Sequence, residues 1–158
     1  LPRKLIPEYR RRIGSIFQDF RLLPNRTAYE NIAFAMEAAG RSEEEIDADV
    51  PHALDLVGLK SKMWNFPHEM SGGEKQRAAI ARAIVNQPVL IIADEPTGNL
   101  DPLNTQEIIQ VLKKINDLGT TVILTTHNKG VIDSLKKRVI TMEHGTIVRD
   151  DIHGKYVL

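Results

Sequence analysis

Two carboxylates, Asp94 and Glu95, stand side by side directly after the apolar run "VLIIA". Adjacent acids at the end of a buried strand are costly unless a strong positive charge, usually a metal ion, faces them. In a parallel sheet, ligands collect beyond the carboxyl ends of the strands, where these two acids fall. The pattern suits magnesium-dependent phosphoryl chemistry. Asp94 would hold the ion, directly or through water, and Glu95 would orient or deprotonate an attacking water. Taken alone, the pair also reads as a solvated turn that caps a strand.

Three further features point the same way. "SGG" at Ser71, Gly72 and Gly73 opens a helix, so backbone N–H groups, a hydroxyl and the helix dipole converge on an anion site. A plain serine cap with flexible glycines would look the same. His127 follows the apolar strand "TVILTT" and so falls on the carboxyl edge of the sheet, although a lone histidine is usually structural. Gln18 follows the strand "IGSIF", where a neutral amide could ligate a metal or its water; by itself it is a loop residue.

The elements that must position these residues follow from pattern. A strand over 13–17 leaves a basic helix. Thr27 is an N-cap for a helix closed by Gly40, and Ser42 with Glu45 has capping-box spacing for the next. That next helix is expected to end or kink near Pro51. A helix with a glycine-rich entrance follows Ser71. Beyond it come a strand over 89–93, a helix over 105–118, a strand over 121–126, a short helix after Asn128, a strand over 138–142 and a hairpin turning at "EHGT". Continuous apolar strands separated by helices predict an α/β fold with a parallel sheet covered on both faces. Residues 20–86 read as an inserted helical subdomain, and 87–158 with 13–18 as the α/β core.

Composition narrows the classes. A chain of 158 residues is about one domain in size, and 42% hydrophobic content supports a core. The formal net charge of zero argues against a nucleic-acid binder that relies on a basic field. There is no cysteine, which excludes disulfides and thiolate metal sites. No apolar run approaches the roughly 18 to 20 residues that cross a bilayer.

In this order, Gln18, Ser71-Gly72-Gly73-Glu74, Asp94-Glu95, Asp101 and His127, the chain resembles the ATP-binding-cassette ATPases over essentially its whole length. Gln18 matches the Q-loop, "MSGGE" the signature motif, "VLIIADE" Walker B, "GNLD" the D-loop and His127 the switch histidine. Met70 and Glu74 depart from the usual leucine and the common glutamine. "ADEPTGNLD" is typical of the branch holding lipoprotein-releasing, macrolide-export and cell-division ATPases. "IFQDFRLLPNRTAYENIAFAME" and "FPHEMSGGE" look most like the FtsE group of cell-division ATP-binding proteins.

The resemblance implies a P-loop NTPase core with an inserted helical subdomain, and ATP and Mg2+ as cofactors. It implies a homodimer that sandwiches ATP, the P-loop of one cassette facing the signature helix of the other. In that arrangement Ser71, Gly72, Gly73 and Glu74 meet the nucleotide held by the partner. Asp94 and Gln18 tend the metal, Glu95 activates water, and His127 stabilises the γ-phosphate. Asp101 links the two sites. An integral membrane subunit of the FtsX type is implied too, with control of peptidoglycan hydrolysis, the ATPase lying on the cytoplasmic face of the membrane. Phe20, Leu22, Leu23 and Tyr29 cluster after Gln18 and are expected partly to pack within the helical subdomain and partly to receive a helix of that subunit, with Leu22 and Leu23 the better contacts. The alternatives are an exporter or lipoprotein-release ATPase and a non-catalytic scaffold.

No G-x-x-x-x-G-K-[ST] pattern occurs in the chain. In the family that loop precedes the Q-loop, so it is expected before Leu1, and the chain as given is expected to be inactive and to bind ATP very weakly. Chromosome-maintenance and DNA-repair ATPases also separate the loop from the signature. Their Q-loop lies on the P-loop half, whereas Gln18 shares this chain with the signature, and no sustained heptads intervene.

Overall fold

The computed structural model describes residues 2–152 and 154. The chain forms two compact units, 1–125 and 126–158.

The first unit is built on three parallel strands in the order β1-β2-β3: β1 (Ile13–Phe17), β2 (Leu90–Asp94) and β3 (Thr121–Thr125). Their register is continuous, from Ile13 beside Leu90 beside Thr121 to Phe17 beside Asp94 beside Thr125. All three therefore end level, and the residues after each strand start from one edge.

One face of this sheet is buried, through Ile16, Ile91 and Ala93. Helix α4 (Gly72–Ile84) lies so close there that a Cβ on Gly14 would stand 2.6 Å from the Ala83 carbonyl oxygen. The opposite face is open. Ile13, Ile92 and Ile123 are 36%, 39% and 50% exposed. The expected cover on both faces is thus not met among the described residues, because α4 and its neighbour α5 (Pro102–Asp117) form one layer on one side.

Helices α2 (Ala28–Glu37) and α3 (Glu43–Leu56) pack against α4 and against each other. Both start with reciprocal capping boxes, Thr27 with Glu30 and Ser42 with Glu45. Gly40 adopts φ +80, which lets the chain turn between them. The expected end at Pro51 does not occur; α3 runs through it to Leu56. A proline removes one helical hydrogen bond. Here the buried stripe Ile46, Val50, Ala53 and Leu54 continues across it, so packing holds the helix. A short helix, α1 (Ile6–Arg11), precedes β1.

Two boundaries also shift. β2 extends to Asp94, so the first acid belongs to the strand. α5 starts at Pro102 rather than 105, because Asp101 is its cap and proline suits the first helical position.

The second unit holds α6 (Lys129–Leu135), capped by the Asn128 side chain, and the antiparallel hairpin β4 (Val139–Glu143) and β5 (Thr146–Asp151). Its turn is at "HG" as read, with His144 at φ +48 and Gly145 at φ +79.

Candidate functional site

Asp94 lies at the carboxyl edge between Phe17 and Thr125, and its Oδ1 accepts from the Thr125 hydroxyl at 2.6 Å. That bond fixes the carboxylate beside the neighbouring strand. Glu95 donates its backbone N–H to the Thr125 carbonyl at 3.1 Å, extending the ladder by one residue. It then takes φ +45, a left-handed conformation that costs a non-glycine residue. The chain therefore leaves the sheet sharply at the second acid, and a turn closed by Gly98 N–H on the Glu95 carbonyl at 3.1 Å follows.

This turn brings Gln18 into the same place. Gln18 Nε2 donates to Asn99 Oδ1 at 3.0 Å, and Asn99 Nδ2 donates to the Gln18 carbonyl at 3.4 Å. Gly98 packs against the Gln18 side chain; a Cβ there would lie 2.8 Å from Gln18 Nε2 and push that amide aside. Farther along, Asp101 caps α5 by accepting from the N–H groups of Leu103 and Asn104, both at 2.9 Å. Those bonds, led by the one from Asn104, hold its carboxyl below the usual range.

The start of α4 packs on the same loop. A Cβ on Gly73 would stand 1.8 Å from Asn104 Oδ1, and one on Gly72 3.4 Å from Leu100. Only glycine fits at Gly73, for a packing reason as well as for any ligand. Ser71 and Glu74 form a capping box. The Ser71 hydroxyl accepts from Glu74 N–H at 3.3 Å, and Glu74 Oε2 accepts from Ser71 N–H at 2.8 Å. The other Glu74 oxygen meets Lys62 Nζ at 2.6 Å. Lys62 first, then the Ser71 N–H, keeps the Glu74 carboxyl below its ordinary value. The acid that replaces the family's common glutamine is thus neutralised locally, leaving the N–H groups of Gly72 and Gly73 at the helix start.

The structure therefore joins Gln18, Asp94, Glu95 and Asp101 through the 95–101 loop, with Ser71, Gly72, Gly73 and Glu74 packed against that loop. His127 lies exposed in the second unit, two residues beyond β3. Asn99, Asn104 and Lys62 were not singled out in the sequence. Asn99 and Asn104 lie in or beside "GNLD", but their contacts span 81 and 31 positions. Arg82 was missed as well. From α4 its guanidinium donates to the carbonyls of Phe20 at 3.0 Å and Arg21 at 2.6 Å. Those two residues take φ +60 and φ +48 just after Gln18.

No group of three or more His, Cys, Asp or Glu is placed to hold a metal ion among the described residues. One carboxylate and one amide oxygen suit a hard cation whose other ligands are phosphates and water, which is how magnesium is commonly held.

On the helical face Leu22 and Leu23 are half-buried. The exposed apolar residues are instead Phe34, Trp64 and Phe66, with Tyr29 stacked on Trp64 at a ring separation of 4.9 Å. No helix among the described residues is long and apolar enough to cross a membrane.

Residues 2–98 match a family model described as "ABC transporter". The cell division ATP-binding protein FtsE of Streptococcus pneumoniae serotype 2 is 53% identical over 156 residues, covering 99% of this chain and 68% of that protein. The protein of the same name from Bacillus subtilis is 54% identical over 153 residues, covering 97% and 67%. Among solved structures, a dimeric ATP-binding cassette in a post-hydrolysis state bound to ADP and Pi superposes with a TM-score of 0.83 at 34% identity, over 99% of this chain and 69% of that one. A cbiO1 from Clostridium perfringens, part of the transporter complex cbiONQ, gives 0.86 at 32% identity, over 95% and 61%. With a parallel α/β core, a glycine-opened helix and two acids on one strand edge, the chain belongs to the ABC transporter family, as one of its ATP-hydrolysing subunits.

Proposed function

We propose that this chain is the nucleotide-hydrolysing part of an FtsE-type cell-division ATPase. Two copies would close around ATP and drive an integral membrane subunit of the FtsX type that controls peptidoglycan hydrolysis. The observation that carries the reading is the 95–101 loop, which gathers Gln18, Asp94 and Glu95 on one side and the signature glycines on the other. Its membership of the FtsE branch is supported by the relatives in Streptococcus and Bacillus.

In this reading Asp94, held by Thr125, tends magnesium together with the Gln18 oxygen. The ion supplies charge neutralisation for the phosphates when bound. Glu95 takes the proton of the attacking water, and His127 donates to the γ-phosphate. Gly72 and Gly73 present N–H groups to the phosphate of a partner's nucleotide, with Ser71 beside them, and Asp101 transmits closure between the copies. Residues 20–86 form the helical subdomain, and the membrane subunit docks on its exposed aromatics Phe34, Trp64 and Phe66 rather than on Leu22 and Leu23 alone. The ATPase itself would be cytoplasmic and peripheral on the inner face of the membrane.

The test uses the full-length protein. Glu95→Gln should abolish turnover, roughly a hundredfold or more, while ATP still produces a dimer on size exclusion. The same variant should fail to support septation in cells depleted of the native copy. Near-normal hydrolysis would sink the general-base role. Normal division with a catalytically dead protein would sink the cell-division reading and favour an exporter.

A further inference from the structure

We infer that Asn99 is a positioning residue that sets which atom of the Gln18 amide faces the metal. Given the proposed role of Gln18, one chain of donors and acceptors fixes this orientation. A backbone carbonyl can only accept, so the Asn99 atom 3.4 Å from the Gln18 carbonyl is its NH2 group. That fixes the other Asn99 atom as Oδ1, an acceptor. The Gln18 atom 3.0 Å from it must then be Nε2, a donor. Oε1 is thereby the atom turned away from Asn99, and only Oε1 can ligate a cation. One main-chain oxygen thus reads out, through two amides, the orientation of a metal-seeking side chain.

The surroundings reinforce this orientation. A Cβ on Gly98 would stand 2.8 Å from Gln18 Nε2 and displace the amide, so glycine lets the backbone carrying Asn99 pass close beside it. The turn that carries Asn99 starts at Glu95, whose carbonyl accepts from Gly98 N–H. The amide that senses the ion and the acid that handles the water are therefore anchored to the two ends of one tight loop. Gln18 and Asn99 are both exposed, so the latch is weak enough to open: a hydrogen bond of this kind biases an amide flip by about fivefold. Groups that orient metal ligands commonly change metal affinity about tenfold or more when removed.

The experiment measures the affinity of full-length protein for a non-hydrolysable ATP analogue by calorimetry, with Mg2+ and again with EDTA. The ratio of the two constants isolates what the metal contributes. Gln18→Ala should lower that ratio, about tenfold on the same scale, and Asn99→Leu should lower it about fivefold while leaving the EDTA value unchanged. The double variant should be no worse than Gln18→Ala, since both act through one oxygen. A full ratio in Asn99→Leu beside a reduced one in Gln18→Ala would overturn the latch and leave the metal role of Gln18 standing. Unchanged ratios in both would overturn the two together. An equal loss with and without Mg2+ would make Asn99 merely structural and overturn the inference.

Discussion

Helices α2 and α4 begin with the same device, a Ser or Thr whose hydroxyl takes an N–H while a Glu three residues later reaches back, Thr27 with Glu30 and Ser71 with Glu74. Just beyond each box a side-chain amide is wholly buried, Asn31 in α2 and Gln76 in α4. From there the two diverge. Asn31 Oδ1 accepts from Leu23 N–H at 2.7 Å, and its Nδ2 lies 2.9 to 3.1 Å from the carbonyls of Leu23, Arg26 and Thr27. With two hydrogens for three carbonyls, that amide is saturated. Neither polar atom of Gln76 has a hydrogen-bond partner among the described residues. One buried amide builds the loop that runs from Gln18 into α2; the other is desolvated with no bond from the described residues to offset it. Polar burial beside a site is thus not one phenomenon, and substitution separates the two cases.

The largest effect belongs to Asn31. Asn31→Ala should strand the Leu23 N–H and the Arg26 carbonyl in the interior, while the Leu23 and Thr27 carbonyls keep the backbone N–H groups of Arg26 and Asn31, and lower stability by about 2–4 kcal/mol. Thermal unfolding would register that as a midpoint drop, and limited proteolysis should cut within 20–27 first. Arg82 continues the same loop toward Gln18. Arg82→Gln should cost about 2 kcal/mol by releasing the carbonyls of Phe20 and Arg21, with the loop again the first site of cleavage. If both variants unfold at the native midpoint, the loop is not held by these side chains.

Gln76→Leu should behave oppositely. Replacing an unbonded buried amide by an apolar group of similar size should leave the midpoint unchanged or raise it, within about 1 kcal/mol. A drop of the Asn31 magnitude would mean that Gln76 is satisfied after all, and the contrast between the two helices would collapse.

How much of this was legible in the sequence depends on range. The caps at Thr27 and Ser42 were readable because a cap is a local code, completed within three residues. The strands were readable from their apolar runs, and the site edge from where those runs stop. Glycine at Gly73 was read as an anion-site residue, and the structure adds Asn104, 31 positions away, as a packing reason no spacing rule contains. Asn99, Lys62 and Arg82 were invisible for the same cause: each acts on a residue far along the chain, and nothing local marks it. The open sheet face has another origin. A run such as "TVILT" records that a strand is apolar on both sides, not which layer lies on each. Pro51 shows the reverse, a strong local stop signal that does not end the helix because a buried stripe continues on either side of it.

The smallest effect concerns the acids of the two capping boxes, which share a position but not a partner. Both carboxyls lie below their ordinary value. Glu30 owes this to the Thr27 backbone N–H first, Glu74 to Lys62 first. A carboxyl with a depressed folded-state pKa contributes stability above its unfolded value near 4.5, and that contribution disappears as pH falls through the folded value. Lys62→Met should therefore lower stability at pH 7 by less than about 1 kcal/mol, as expected for a partly exposed pair. It should also flatten the acid limb below pH 4.5, because Glu74 would then titrate closer to its unfolded value. Thr27→Val should flatten the limb only in part, since it removes the hydroxyl bond to Glu30 but keeps the Thr27 backbone N–H that is the first cause there. Paired titrations of the two variants by chemical denaturation at stepped pH would resolve the contributions. An acid limb identical to the native one in Lys62→Met would show that the ion pair at the signature helix is cosmetic, and that Ser71 N–H alone holds Glu74 in place.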